Sequence, residues 1–399
     1  MSIAVHLHDK QLIKHFKFIF VLSISLMKIL ILSCNTGEGH NSSAKAIKRY
    51  MDRLGLDSEI KDTLSIASPA LSVRISKAYN YSIRGRLFYN LYNIGDFVSK
   101  HFTHIKSPVY FANRLYADKL YQYIALHNFD AIIAVHLFAA EALTAIKRKH
   151  KMSLPTLFVM TDYTCIPFLS ETELDMYAIA HQDLIDEFVS RGIPVEKIIA
   201  TGIPVTIQRN LIQKNEVRAS VNSTFNWYDS QGCWFMIMGG SMGFGDMERL
   251  IVELSKSITE SDRIICVCGQ NRELEIALSK QFADVQQVKI LGYTDQIALL
   301  MDCCDVLFSK PGGITSTEAL IRNIPLIHTA PIPGLEDKNG QFFHARGMSY
   351  YTQDLHQQVD VAIKLCRDIS FREQMLKSQR ENANSQTCEI IVNVLKGML

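Results

Sequence analysis

The feature that most constrains this chain is an alternation of short apolar runs with amphipathic stretches, which begins at residue 28. Such alternation is typical of strands and helices that build a parallel α/β sheet. The pattern occurs twice, and each occurrence has five predicted strands. The first set covers residues 28–33, 58–61, 131–135, 156–160 and 176–180. The second set covers residues 234–238, 263–268, 288–291, 306–309 and 325–328.

Amphipathic segments between these runs predict the helices. They cover residues 42–54, 139–149, 182–191, 246–257, 272–281, 295–303, 316–322 and 339–346. A chain of 399 residues is long for a single core. We therefore predict two Rossmann-like α/β/α domains that face each other across a cleft. The first covers residues 27–205 and the second residues 232–355, joined by a polar linker at 206–231. Residues 356–399 are predicted to be helical and to cross back onto the first domain.

Residues 1–26 have a mixed signature. Lys10, Lys14 and Lys17 precede an apolar run at residues 18–26, which resembles a signal peptide. No small-residue cleavage site follows, and Lys28 interrupts the run before it reaches the roughly 20 apolar residues of a membrane span. We interpret residues 1–26 as a dispensable extension, with Met27 as an alternative start. A membrane-seeking segment is the competing interpretation.

Charge and cysteine content exclude some classes of protein. The formal net charge of +2 is too small to indicate a nucleic-acid partner. The nine cysteines include no C-x-x-C pair and no zinc-ligand spacing, which favours free thiols in a reducing cytoplasm.

The first candidate site follows the first predicted strand, at residues 33–40. Gly37 and Gly39 permit a tight turn into a helix, and His40 stands at the start of that helix. A helix N-terminus disfavours the charged imidazolium, so His40 is a candidate general base in its neutral form. A helix-capping or packing role is the alternative. Neither the Walker motif nor the dinucleotide spacing is present.

Two further glycine-rich turns follow strands of the second set. Residues 238–245 contain four glycines, and a flexible connection is the alternative to an anion-binding loop. In the segment 308–318, Gly312 and Gly313 leave room for a diphosphate at a helix start, and Glu318 is placed to accept both ribose hydroxyls. Lys310 receives no role in this prediction. The loop 331–339 offers Glu336 and Asn339 to sugar hydroxyls, or it simply caps a helix.

No two aspartates stand in Asp-x-Asp spacing, the pair with which many sugar transferases hold a metal-bound diphosphate. We therefore predict no metal and no cofactor. The helix start and the loop amides must then stabilise the leaving group.

One region departs from the α/β rhythm. Residues 71–121 contain eight Lys and Arg residues, only two Asp residues and eleven aromatic residues. Basic and aromatic side chains together are typical of a surface that meets anionic lipid. We assign this contact to Arg84, Arg86, Phe88 and Tyr89. The alternatives are a solvated helical face with its aromatics packed inside, and a surface for single-stranded nucleic acid, which nothing else in the sequence supports.

Taken together, the motifs resemble the monogalactosyldiacylglycerol-synthase and processive diacylglycerol glucosyltransferase group, which has the GT-B fold. This group is related to the lipid-linked N-acetylglucosaminyltransferase of peptidoglycan synthesis. The matching segments are 37–40, 161–163, Asp175, 201–204, 239–241, 268–271, 291–293, 310–318 and 333–334. Relatives commonly carry His and Trp where this chain has Ile166 and Leu169, and Gln where it has Leu335, which affects acceptor and sugar recognition respectively.

The resemblance implies an inverting hexosyltransferase that moves glucose or galactose from a UDP-sugar to diacylglycerol or a glycosyldiacylglycerol. His40 would be the general base and Asp162 a supporting residue. Gly312 and Gly313 would hold the diphosphate, Glu318 the ribose, and Glu336 with Asn339 the sugar. The remaining expected donor-binding residues are Gly39, Gly240, Ser241, Gly269, Tyr293, Ile314 and Thr315.

The same resemblance implies a peripheral protein on the cytoplasmic face of the cell membrane, with an anionic lipid surface as a partner and no nucleic acid. Two other functions stay open at this point. One is transfer from a UDP-sugar to a polyprenyl-linked or other acceptor, and the other is a non-catalytic nucleotide-sugar sensor.

Overall fold

The computed structural model describes residues 27–35, 38–82, 86–101, 106–206, 213–227, 231–243 and 245–399. Each of the ten predicted strands is present within one or two residues of its expected bounds. The prediction for residues 1–26 concerns a segment outside the described residues.

The first half forms a six-stranded parallel sheet in the order β2-β1-β3-β4-β5-β6. Its strands are β1 (Lys28–Ser33), β2 (Asp57–Asp62), β3 (Ala131–Ala134), β4 (Thr156–Val159), β5 (Met176–Ile179) and β6 (Ile198–Ala200). Its helices are α1 (Glu38–Arg53), α2 (Thr63–Ala67), α3 (Pro69–Ser82), α4 (Arg86–His101), α5 (Pro108–Arg114), α6 (Ala117–His127), α7 (Leu137–His150) and α8 (Ile185–Ser190).

The second half forms another six-stranded sheet, in the order β12-β11-β10-β7-β8-β9. Its strands are β7 (Trp234–Met238), β8 (Arg263–Val267), β9 (Val288–Leu291), β10 (Val306–Ser309), β11 (Leu326–His328) and β12 (Tyr350–Tyr351). The helices are α9 (Lys214–Phe225), α10 (Met247–Ser255), α11 (Arg272–Gln281), α12 (Ile297–Cys303), α13 (Gly313–Arg322), α14 (Leu335–Ala345), α15 (Leu355–Arg367), α16 (Ile369–Asn382) and α17 (Thr387–Met398).

The central strands are apolar on both faces because helices cover both sides of each sheet. In β1, side chains alternate between two cores. Leu30 and Leu32 lie in the core that extends towards the second domain, and Ile29 and Ile31 lie in the opposite core. Alternation with a period of two is a direct consequence of strand geometry.

The C-terminal segment returns to the first domain, as predicted. Helices α15 and α16 pack on the second domain, and α17 then packs against α1. Ile391, Val392 and Leu395 of α17 are buried in the same core as Ile29 and Ile31. The chain therefore has the two-domain architecture with a crossing-back helix that the sequence indicates.

Three helices begin three or four residues earlier than predicted, whereas α10 and α12 begin one and two residues later. The three are α1, α13 and α14, which begin at Glu38, Gly313 and Leu335. Glycine disfavours a helix, so the sequence pattern places these starts too late. The consequence is that His40 and several donor-site candidates lie in the first turns of helices rather than in loops.

The expected linker at 206–231 also contains more structure than predicted. Helix α9 docks on the second domain, where Lys214 Nζ donates to the Cys304 carbonyl at 2.7 Å and Arg218 pairs with Asp305. The described part of this segment therefore belongs to the second domain.

Candidate active site

The two sheets direct the carboxyl ends of their central strands towards a common seam. A methyl group on Gly313 would lie 2.0 Å from the Thr161 carbonyl oxygen, and one on Gly39 would lie 3.4 Å from Ile314 Cγ1. The first turn of α1 therefore contacts the first turn of α13. Gly313 is required by this close approach of the domains, independently of its predicted contact with a diphosphate.

Further contacts across the seam join the two domains. The Tyr163 hydroxyl lies 2.8 Å from Thr317 Oγ1, and its ring packs edge-on against Phe343 at a centroid distance of 4.7 Å. Lys338 of α14 pairs with Asp96 of α4 at 3.3 Å. The seam is thus a packed interface. Aromatic rings and an ion pair hold the first turns of α1 and α13 in fixed positions relative to each other.

His40 is held in one orientation at this seam. Its Nδ1 lies 2.8 Å from the Val135 carbonyl oxygen, which only accepts, so Nδ1 carries the proton and Nε2 keeps its lone pair. Thr161 Oγ1 lies 3.1 Å from the same nitrogen. Burial lowers the pKa of His40 to about 4, although the bond to Val135 opposes this shift. The neutral ring can therefore accept a proton at Nε2 near pH 7.

His136 is a neighbour of His40 that the sequence prediction missed. The two rings meet edge-on with centroids 4.5 Å apart. His136 Nδ1 accepts from the Phe138 amide at 3.1 Å and so caps α7, and burial lowers its pKa well below the usual value. A signal was available, since His136 follows a buried strand that neighbours β1 and so reaches the same edge of the sheet.

Asp162 and Asn339 meet across the seam. Asn339 Nδ2 donates to Asp162 Oδ1 at 2.9 Å and to the Pro311 carbonyl at 3.0 Å, and its Oδ1 accepts from the Tyr163 amide at 2.7 Å. Burial raises the pKa of Asp162, and the hydrogen bond from Asn339 opposes this shift. One amide hydrogen of the buried Asn339 therefore bonds to the first domain, and the other bonds to the donor loop of its own domain. With these bonds in place, its predicted contact with a sugar hydroxyl is limited to the second lone pair of Oδ1.

Lys310 lies beside Gly240 and Gly312 and forms an ion pair with Glu336. These four residues form the cluster around Lys310. The second carboxylate oxygen of Glu336 accepts from the Ile332 amide at 2.7 Å, which holds this buried side chain in the first turn of α14. Sequence reasoning left Lys310 without a role because a lysine in a loop is usually solvated. Only the structure shows that Lys310 lies next to Gly240 in the loop after β7 and next to Glu336 in the first turn of α14.

The glycine loops after β7 and β8 pack on each other beside Lys310. Gly240 has a φ of +72°, and a methyl group there would lie 2.6 Å from Lys310 Cε. A methyl group on Gly269 would lie 2.5 Å from the Ser241 carbonyl oxygen, which accepts from the Gln270 amide at 2.8 Å. The structure thus brings the predicted donor residues Gly240, Ser241 and Gly269 together.

The start of α13 faces the same space. The first helical hydrogen bond is donated by Ser316 to the Gly312 carbonyl at 3.0 Å, so the amides of Gly313, Ile314 and Thr315 precede it. Gly312 is the N-cap residue and offers no side chain to these amides. Such a helix start is a ready site for an anion.

Glu318 is a half-buried carboxyl on α13. Burial raises its pKa to about 7, and the charge of Arg322 opposes this shift. Tyr293 is placed differently: its side chain is 73% exposed and follows the edge strand β9. Because β9 is three strands from β10, about 14 Å at the usual strand spacing, Tyr293 is not part of the cluster around Lys310.

The structure does not describe the side chains of the four predicted lipid-contact residues. Arg84 and the side chains of Arg86, Phe88 and Tyr89 lie outside the part of the chain that the structure describes. In its described part, the first domain exposes several large apolar side chains on or near helices α3 to α6. These are Val73, Ile94, Phe97, Phe111, Leu115 and Leu126. Among the described helices, none has both the length and the apolar character needed to span a bilayer.

Within the described ranges, one group has the residue types of a metal site, and it lies elsewhere. Ligand atoms of Cys233, Asp305 and Cys366 lie within 4.8 Å of one another. Cys233 and Asp305 precede β7 and β10, at the edge of the sheet opposite the donor loops. Lys214 and Arg218 already pair with the Asp305 carboxylate. That no metal acts at the seam stays a prediction.

Two family matches cover most of the chain. Residues 40–205 match the monogalactosyldiacylglycerol (MGDG) synthase family, and residues 235–393 match the glycosyltransferase family 28 C-terminal domain. The chain is 27% identical over 376 residues to a processive diacylglycerol beta-glucosyltransferase of Bacillus subtilis, which covers 92% of this chain and 95% of that relative. A protein of the same name from Staphylococcus carnosus is 27% identical over 343 residues, covering 86% and 85%.

Solved structures agree on the fold. MurG of Acinetobacter baumannii superposes with a TM-score of 0.62 at 16% identity, covering 93% of this chain and 99% of MurG. MnaA of S. aureus with bound UDP superposes with a TM-score of 0.61 at 12% identity, covering 93% and 96%. The resemblance in the sequence and the two-domain GT-B fold are thus confirmed.

Proposed function

Because this chain belongs to the glycosyltransferases in which an MGDG synthase domain precedes a family 28 C-terminal domain, we propose that it transfers a hexose from a UDP-sugar to the hydroxyl of diacylglycerol or a glycosyldiacylglycerol. One observation carries the proposal. A neutral histidine with a free lone pair stands in the first domain, directly beside the anion-binding helix start of the second domain. Proton acceptance and leaving-group stabilisation are the two requirements of this transfer.

The names of related proteins support the choice of substrates. The curated relatives act on diacylglycerol and form β-glucosides, as their names state. Among the structural neighbours, MnaA was solved with UDP, and Anabaena HepE with UDP and glucose. A single displacement at the anomeric carbon of an α-linked UDP-hexose yields a β-glycoside. We therefore assign an inverting mechanism to this chain.

In the proposed reaction the acceptor hydroxyl attacks the anomeric carbon as its proton passes to His40 Nε2. The new carbon–oxygen bond forms while the bond from the anomeric carbon to the β-phosphate oxygen breaks, and its electron pair leaves with UDP. The Val135 carbonyl keeps the proton of the neutral ring on Nδ1. The lone pair that accepts the proton of the acceptor hydroxyl is therefore on Nε2. Thr161 and His136 limit the rotation of the ring.

The second domain would bind the donor. We propose that the amides of Gly313, Ile314 and Thr315 hold the diphosphate and that Glu318 accepts hydrogen bonds from the ribose. Glu336 would accept from the sugar hydroxyls. Asp162 acts through Asn339, which joins the catalytic side of the first domain to the Pro311 carbonyl of the donor loop. No step of this proposal passes through a metal.

We further propose that the exposed apolar side chains of the first domain meet the membrane that contains the acceptor. Phe111 and Leu115, which are 53% and 87% exposed, lie on and just after α5. Basic residues of the segment 71–121 would add attraction to anionic lipid. We therefore propose the cytoplasmic surface of a membrane as the location of the protein.

The direct test is synthesis of glycolipid. The purified chain is incubated with vesicles of diacylglycerol and anionic phospholipid, together with UDP-glucose or UDP-galactose, and lipids are identified by mass spectrometry. We expect hexosyl-diacylglycerol from one of the two donors. Product from a polyprenyl acceptor only would contradict the acceptor assignment. UDP binding without product from any lipid would instead favour a nucleotide-sugar sensor.

A further inference from the structure

The aliphatic chain of Lys310 occupies the space that two glycines leave open. A methyl group on Gly240 would lie 2.6 Å from Lys310 Cε, and one on Gly312 would lie 3.7 Å from Lys310 Nζ. These glycines belong to the loop after β7 and to the N-cap position of α13. A side chain at Gly240 would displace the lysine, whereas a methyl group at Gly312 would only come into contact with its ammonium. The ammonium group is therefore held at the point where both donor loops converge.

This position coincides with the anion site of the helix. The amides of the first turn of α13 lie beside Gly312. The lysine ammonium and the positive end of the helix dipole therefore act on the same space. An ammonium brings three hydrogen-bond donors and a full charge, which is well suited to a phosphate. Two sources of positive potential at one location indicate a ligand with more than one negative charge.

Glu336 forms an ion pair with that ammonium. Its side chain is buried and bonded to the Ile332 amide through the oxygen that does not pair with Lys310. A buried ion pair is stable only while both partners remain, so a ligand must satisfy both charges to separate it. A UDP-hexose offers both functions in one molecule, since its diphosphate attracts the lysine and its sugar hydroxyls donate to the glutamate.

We propose that Lys310 is the cation that neutralises the donor diphosphate, and that donor binding exchanges its ion pair with Glu336 for one with the β-phosphate. This inference rests on the proposed UDP-sugar donor. In the exchange, the sugar hydroxyls take over the Glu336 oxygen that the lysine releases. When the bond to the anomeric carbon breaks, the β-phosphate gains negative charge beside the ammonium, which stabilises the transition state. Lys310, without a role in the sequence prediction, thus becomes a catalytic residue.

The first experiment compares UDP with uridine by isothermal titration calorimetry. Because uridine lacks both phosphates, Lys310→Met should weaken UDP binding about 10- to 100-fold and leave uridine binding unchanged. Retained uridine binding shows that the pocket is still folded. Lys256→Met, which removes an exposed lysine at the end of α10, is the matched control and should change neither affinity. An unchanged preference of Lys310→Met for UDP over uridine would overturn the assignment.

The second experiment tests the exchange. Glu336→Gln removes the charge that competes for Lys310 and keeps the shape of the side chain. UDP, which carries no hexose, should bind to this variant at least as tightly as to the wild type. The additional affinity that the hexose of a UDP-hexose contributes should be lost. If Glu336→Gln weakens UDP binding as much as Lys310→Met does, Glu336 merely positions the lysine and the exchange is wrong.

These outcomes are separable from failure of the proposed function. Binding of UDP requires neither acceptor nor membrane. A wild-type chain that binds no UDP contradicts the proposed function itself. A wild-type chain that binds UDP, together with a Lys310→Met variant that binds it equally well, contradicts only the inference about Lys310.

Discussion

The two helix starts that meet at the seam, those of α1 and α13, have the same origin and different chemistry. Each follows the carboxyl end of a central parallel strand, and each has a glycine in its first turn. The start of α1 presents His40, a neutral ring whose pKa burial lowers to about 4. The start of α13 presents free amides beside the Lys310 ammonium. The first is suited to a proton and the second to an anion.

The difference shows how one structural element supplies both requirements of a transfer reaction. A helix N-terminus carries partial positive charge, which disfavours a second positive charge and attracts a negative one. In the first domain this effect acts with burial to keep a histidine neutral. In the second domain it adds to a lysine to attract a diphosphate. Residue choice at equivalent positions, rather than a difference of fold, separates the two functions.

The most severe test of this comparison is His40→Ala. We expect the turnover number for glycolipid synthesis to fall about 100- to 10,000-fold, the usual contribution of a general base. UDP affinity should not change, because the donor groups belong to the second domain. His356→Ala, an exposed histidine on α15, is the control. Loss of both turnover and UDP binding would show that the bond from His40 to Val135 is primarily structural.

The contact between the helix starts is tested by Gly313→Ala. A methyl group 2.0 Å from the Thr161 carbonyl cannot be accommodated unless the seam opens. Because a displacement of about 1 Å can lower a rate about 100-fold, we expect a loss of that order in turnover. Gly312→Ala is the matched control, since its methyl group would lie 3.4 Å from Glu336 Oε1 and should have the smaller effect. Equal rates for both variants would mean that the domains do not keep this contact in solution.

A smaller, pH-dependent effect should come from Glu318. Its pKa of about 7 means that the carboxyl is mostly protonated at pH 6 and mostly ionised at pH 8. If only the carboxylate accepts both ribose hydroxyls, UDP affinity should rise about tenfold between these values. Calorimetry on Glu318→Gln provides the control, because glutamine does not titrate and the variant should lose this rise. An unchanged rise in the variant would assign the titration to the UDP phosphate instead.

The same raised pKa has an opposite consequence for the unliganded protein. The folded state binds the Glu318 proton more tightly than the unfolded chain, whose glutamate titrates near pH 4.3. The stability that this proton contributes is complete below about pH 4 and is lost as the pH rises to about 7. Thermal unfolding of wild type and Glu318→Gln should therefore diverge across this window. Parallel curves would show that the carboxyl is not desolvated in solution.

The smallest effect concerns the exposed apolar side chains of the first domain. Leu115→Ser should weaken binding to anionic vesicles about fivefold, which corresponds to the loss of about 1 kcal/mol from partial insertion of one apolar side chain. Ile276→Ser removes an exposed apolar residue from the second domain and should have no effect in the same sedimentation assay. A stronger effect of Ile276→Ser would place the membrane contact on the other domain.

Much of the fold was predictable because parallel strands buried on both faces read as continuous apolar runs. The runs that became β1, β7 and β10 needed no tertiary information. The edge strands β6 and β12 were missed because strands of three and two residues leave too short a pattern. Helix α9 was missed because its polar sequence is stabilised by ion pairs with Asp305 rather than by a wide apolar face.

The sequence by itself determined the two-sheet architecture and the returning C-terminal helix, and the roles that it indicates for His40 and Glu318 stay predictions. Only the tertiary structure decided that Gly313 serves the contact between domains, that Asn339 joins Asp162 to the donor loop, and that Lys310 pairs with Glu336. The physical reason is the range of the interactions. Strand and helix patterns arise from neighbouring residues, whereas the partner of a charged or polar side chain depends on which distant segments the folded sheets bring within hydrogen-bond distance.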